Sequence, residues 1–113
     1  MTESRLKTRI LVQAAVRMCE QQAIPIAIAR RGDEEAGAIL IKLNRRERGF
    51  TVLTQTRTLA GELGWLKGTG PEMVDEAAAD TYIKRQVARD PDLWVVEIED
   101  REGRPIFSGK VLP

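Results

Sequence analysis

Apolar residues recur at three- and four-residue spacings in two stretches of the chain and at two-residue spacings in several others, a pattern that divides it into helices and strands. Leu6, Ile10, Leu11, Ala14, Ala15, Met18 and Cys19 lay one stripe on a helix over residues 4–22, with Ser4 as its cap. Pro25 sets the latest end, because it disfavours helical geometry at Ile24. The period then changes. Residues 25–31 read as a strand of branched and small apolar residues, 32–37 as a turn, and 38–43 as a second apolar strand. After a turn over 44–49, residues 50–57 alternate as a third strand, with Phe50, Val52 and Thr54 on one face and Thr51, Leu53 and Gln55 on the other.

Short turns between three consecutive strands predict an antiparallel meander. Residues 59–70 hold Gly61, Gly64, Gly68 and Gly70 and suit a loop, with a short extra strand around 64–67. Ala79, Tyr82, Ile83, Gln86 and Val87 form one face of a second helix, introduced by Asp75 and Glu76 and ended by Asp90-Pro91. Trp94, Val96 and Ile98 then alternate with Glu97 and Glu99 on a strand, and another short strand is expected within 105–109.

The expected fold class is α+β: a two-layer sandwich in the order helix, three-stranded antiparallel meander, helix, strand. Each helix has one apolar stripe, so both pack on one sheet face. That leaves Thr51, Gln55, Glu97 and Glu99 on a wet face. With 113 residues and no repeat, linker or low-complexity tract, residues 1–113 are expected to form one domain.

Composition narrows the chemistry. The chain has no histidine and one cysteine, which removes intramolecular disulfides, the usual zinc sites, and any imidazole-based triad. No apolar run reaches the roughly 20 residues of a membrane-spanning helix, so no membrane partner is expected. Residues 1–9 lack the apolar block of a signal peptide, which makes the cytoplasm the expected compartment. Net charge is +1, yet residues 1–57 carry net +5 and residues 58–113 net −4. The two halves neutralise each other, and with five aromatic residues the chain lacks the basic, aromatic-rich composition of a nucleic-acid binder.

Several residues qualify as sites beside a plainer role. Glu97 and Glu99, two apart on a strand, present paired carboxylates that suit magnesium, although a solvated strand face accounts for them equally. Arg45, Arg46 and Arg48 crowd one turn and, with Arg57, make a candidate basic rim; their plainer role is solubility and protection of strand edges. Neither glycine-rich stretch has phosphate-loop or dinucleotide spacing, so no cofactor is expected. Cys19 lies on an apolar stripe and reads as a core thiol. Trp65, in the glycine-rich segment, is a candidate contact surface or a plug for the end of the domain.

Taken with these features, the stretch Asp-Pro-Asp-Leu-Trp-Val-Val-Glu-Ile-Glu-Asp-Arg-Glu-Gly-Arg at 90–104 resembles the bacterial family catalogued as domain of unknown function 1491. So do Val-Gln-Ala at 12–14, Arg-Arg-Gly-Asp at 30–33, Gly64-Trp65, Ala79-Asp80, Tyr82-Ile83 and Arg85-Gln86. The resemblance covers nearly the whole chain. It implies a small single-domain bacterial protein and carries no catalytic residue, substrate or cofactor.

Two functions compete. The first is a non-enzymatic protein acting by contact, as a homodimer or on a protein partner, through an open sheet face or edge. The second follows from the element order, which is also that of restriction-endonuclease-like cores. The catalytic acids of such cores are missing here: the second strand has no acid, and the third ends Gln55-Thr56-Arg57. That leaves a catalytically inactive relative binding nucleic acid through Arg45, Arg46, Arg48 and Arg57.

Overall fold

The computed structural model describes residues 6–113 as two helices and a six-stranded mixed sheet, an α+β arrangement. The elements in chain order are α1 (Thr8–Gln21), β1 (Ile26–Arg30), β2 (Ile39–Asn44), β3 (Phe50–Arg57), β4 (Leu63–Lys67), α2 (Glu76–Arg89), β5 (Trp94–Glu99) and β6 (Lys110–Val111). A 3-10 turn, Arg46–Arg48, joins β2 to β3. The expected order of helix, three strands, helix, strand therefore gives way to four strands before α2, the fourth lying where a short extra strand around 64–67 is expected, and two after it.

Ser4, expected to cap α1, lies outside the described residues. The first helical N–H groups find their acceptors elsewhere in the fold: Thr8 N donates to the Glu35 carbonyl and Arg9 N to that of Glu34. At the other end Ile24 N reaches the Cys19 carbonyl and Ala23 N that of Glu20, a Schellman closure with Ala23 at φ 57°. The buried side is Thr8, Val12, Ala15 and Cys19, with Leu11 and Val16 half-buried, so the expected stripe is turned on its axis. Ile10, Ala14 and Met18 face out because apolar residues span more than one stripe, and the sheet takes the side with both valines. In α2 the expected face holds: Ala79, Tyr82, Ile83 and Val87 pack on the sheet, and Asp75 caps the helix by accepting from Ala78 N at 2.8 Å.

The sheet order is β1-β5-β2-β3-β4-β6. β2, β3 and β4 are antiparallel neighbours, but β1 does not pair with β2 as a three-stranded meander requires. Instead β5 inserts between them, antiparallel to β1 and parallel to β2. The reason lies in burial. Trp94, Val95, Val96 and Ile98 of β5 and Ile39 to Leu43 of β2 are buried on both faces, which only central strands provide. Gly32 and Gly37 let the β1–β2 connection pass against the Asp92 carbonyl, where a Cβ at either position would overlap backbone.

Two-sided burial also overturns the two-layer arrangement. Ile39, Ile41, Leu43, Leu53, Trp94, Val96 and Ile98 pack with α1, whereas Leu40, Val52 and Val95 pack with α2. The helices thus cover opposite faces, and the supposed common wet face does not exist. Thr51 and Gln55 point to the α1 side, and Glu97 and Glu99 to the α2 side. The last strand falls at Lys110–Val111 instead of 105–109, beside β4 and parallel to it. Residues 105–109 turn sharply, with Ile106 at φ 66° and Gly109 at φ 112°, and Phe107 is buried in the α1-side core.

Candidate functional site

Lys42 stands in the middle of β2, flanked by Ile41 and Leu43, and strand alternation aims it at α2. Its side chain is 8% exposed. Nζ lies 2.8 Å from Glu76 Oε2, 2.8 Å from Asp80 Oδ1 and 3.6 Å from Glu97 Oε1, and 5.2 Å from the centre of the Phe50 ring. Glu76 and Asp80 are one turn apart on α2, so both reach the same nitrogen; Glu97 arrives from the neighbouring position on β5. Burial alone would push the ammonium toward neutrality, but the hydrogen bonds to Asp80 and Glu76 and the charge of Glu97 outweigh it and raise its pKa. The lysine therefore stays protonated and is neither base nor nucleophile at neutral pH. It acts as an ionic anchor that ties the start of α2 to the sheet.

The paired glutamates are engaged with cations. Glu97 takes Lys42 and a 3.4 Å hydrogen bond from Asn44 Nδ2, while Glu99 pairs with Arg46 Nε at 3.1 Å. Among the described residues no group of three or more carboxylate or thiol side chains is placed to hold a metal ion.

The candidate basic residues do not converge. Arg45, Arg46 and Arg48 lie at the end of β2, but Arg57 ends β3, which runs antiparallel and so reaches the opposite end of the sheet. There Arg57 donates to the Gly61 carbonyl and borders a cleft of 310 Å³ with Thr8, Gly37 and Gln55. At the first end the charges are largely paired: Arg46 with Glu99, Arg101 with Glu47, and Arg104 with Asp100. Arg45 donates to the Arg101 carbonyl at 3.1 Å.

Trp65 is fully buried. Its indole Nε1 donates to the Ser108 carbonyl at 2.9 Å and its ring meets Phe107 at 5.6 Å, so it anchors the C-terminal segment and presents no surface. Cys19 is buried as well, and burial, followed by the charge of Asp100, pushes its thiol pKa up and away from reactivity.

What remains open is an edge. Among the described residues β1 pairs only with β5, and no strand lies on its other side. Glu99 N donates to the Pro25 carbonyl at 2.9 Å, which makes positions 25 and 99 a hydrogen-bonded pair. Antiparallel alternation then aims the N–H and C=O of Ala27 at β5, and those of Ile26 and Ile28 outward. Ala27, Ile28 and Ala29 are exposed, and no charge interrupts Ile26 to Ala29. The opposite edge, β6, is two residues long and begins with Lys110. Lys42 and the β1 edge are the two features the sequence did not single out. A lysine inside a run of Ile and Leu was the available signal for the first. The second depends on strand order, which no local pattern encodes.

Comparison with known proteins places the chain. Residues 6–108 match the family described as "Protein of unknown function (DUF1491)". A crystal structure of a DUF1491 family protein from Caulobacter crescentus CB15 is similar with a TM-score of 0.84 and 37% identity, covering 96% of this chain and all of that one. An NMR structure of a DUF1491 family protein from the same organism gives 0.83 and 36% over 98% of this chain and all of that one. The solution structure of a protein from A. tumefaciens has the same fold at 22% identity, with a TM-score of 0.76 over 97% of this chain and 98% of that one. No curated protein matches the chain. The chain belongs to the DUF1491 family of proteins of unknown function.

Proposed function

We propose that the protein acts by contact inside the cytoplasm, docking a protein partner along the free edge of β1. The observation that carries this reading is the combination at Ile26 to Ala29 of outward backbone donors and acceptors with exposed apolar side chains. A strand added there gains main-chain hydrogen bonds and covers Ile28, the usual basis of β-augmentation. Natural sheets normally protect such an edge with lysine, proline or a charge pointing inward; here a bulge between Ile28 and Arg30 limits the edge to its first residues without closing it. The one buried lysine is held by three carboxylates, which leaves it an anchoring role and supports contact over catalysis.

The test is affinity capture from the native cell with the wild-type chain and with Ile28→Lys, after nuclease treatment. The wild type should retain a protein in stoichiometric amount and Ile28→Lys should lose it while keeping the same melting temperature. Equal retention by both, or capture that disappears with nuclease, contradicts the reading.

A further inference from the structure

We infer that the strand received by the β1 edge is β1 of a second copy of this chain, related by a two-fold axis at Ala27. This rests on the edge-docking reading and adds the identity of the partner. The edge is complementary to itself. Alternation leaves each copy with four outward groups, the N–H and C=O of Ile26 and of Ile28. Antiparallel pairing about Ala27 sets Ile26 opposite Ile28 of the other copy twice over, so the four groups of one copy meet the four of the other in two reciprocal pairs. Every outward group before the bulge is satisfied, and none needs the irregular segment at Ala29.

Side chains agree with this register. Ile26 and Ile28 share the α1 side and would stack against their counterparts, covering Ile28, which is 38% exposed alone. Ala27 meets Ala27 on the α2 side, where small residues leave no clash. Charge is neutral to this register: Glu99 and Asp100, beside the beginning of β1, are paired within the chain with Arg46 and Arg104, Arg31 at its end lies 3.9 Å from Glu34, and the Arg30 guanidinium is held by the carbonyls of Pro91 and Leu93 at 2.7 Å.

A disulfide-trapping experiment on the full chain tests the axis. Ala27 would face its counterpart in a non-hydrogen-bonded pair with Cα atoms about 4.5 Å apart, within disulfide reach. Ala29 would lie about 13 Å from its own counterpart, four residues along the strand and out of reach. Cys19 is buried and does not compete. Under mild oxidation Ala27→Cys should form a covalent dimer at least about tenfold faster than Ala29→Cys. In sedimentation the wild type should dimerise, and Ile28→Lys should weaken that dimer by at least about tenfold. A wild type that stays monomeric, equal trapping at both positions, or a dimer untouched by Ile28→Lys overturns the self-pairing. If Ile28→Lys nonetheless loses a different captured protein, the edge still docks a partner and only the partner's identity fails.

Discussion

Lys42 Nζ lies 2.8 Å from Asp80 Oδ1, a bond that crosses from the second strand in sequence to a helix 38 residues later. With Glu76 and Glu97 it fixes where the start of α2 meets the sheet. Lys42→Met keeps the volume but leaves three carboxylates facing one another without a cation. The expected loss is roughly 2–3 kcal/mol, below the roughly 3–5 kcal/mol of a fully buried broken pair because the carboxylates reach solvent. Urea denaturation measures it. A double-mutant cycle with Asp80→Asn should show coupling, since both single changes act on one contact.

Acid should act through Asp100. Its buried carboxylate accepts from Arg104 Nε at 2.9 Å and Nη2 at 3.0 Å, and this guanidinium holds its pKa at about 2, below the ordinary 3.8. Because the folded value is depressed, the unfolded chain takes up the proton first as pH falls. The contribution is therefore complete above 3.8 and is lost as pH drops through about 2. Unfolding curves across this range should show a falling acid limb in the wild type and a flatter one in Asp100→Asn.

Ala23 closes α1 in the left-handed region, where a Cβ is unfavourable and glycine is the usual occupant. It is exposed, so no packing is lost on substitution. Ala23→Gly should stabilise the fold by about 0.5–1 kcal/mol, less whatever freedom glycine adds to the unfolded chain. A rise in melting temperature would register it, and a fall would show that the closure is not strained.

Trp65 joins β4 to the C-terminal segment through Ser108 and Phe107. Trp65→Phe should cost about 1–3 kcal/mol from the lost hydrogen bond and partial cavity. Proteolysis should then begin within residues 105–113, since Leu112 N also bonds the Trp65 carbonyl.

Local signals in this chain were legible and long-range ones were not. The α2 face and the alternation of Trp94, Val96 and Ile98 depend on spacing alone, and both are present in the fold. The family was legible as well, from residues 90–104 and the shorter segments around them. Strand order was not, because β5 joins β1 and β2 from more than fifty residues away. Its one local trace was Val95, buried between Trp94 and Val96, which marks a strand covered on both faces and so argues against a wet face. The same gap explains the site. Arg45 and Arg57 look alike in sequence, yet antiparallel pairing sends them to opposite ends, and the exposed edge exists only once β5 has taken the other side of β1.

Residue-resolved amide exchange reads the proposed docking along the free side of β1, because one strand carries both the bonded and the open positions. In dilute protein Ala27 should be protected, while Ile26 and Ile28 exchange fast; with concentration or with the captured partner, Ile26 and Ile28 should become protected and Ala27 should stay as it was. Ile26 and Ile28 that remain unprotected in the assembled state, or that are already protected in dilute monomer, would contradict the account.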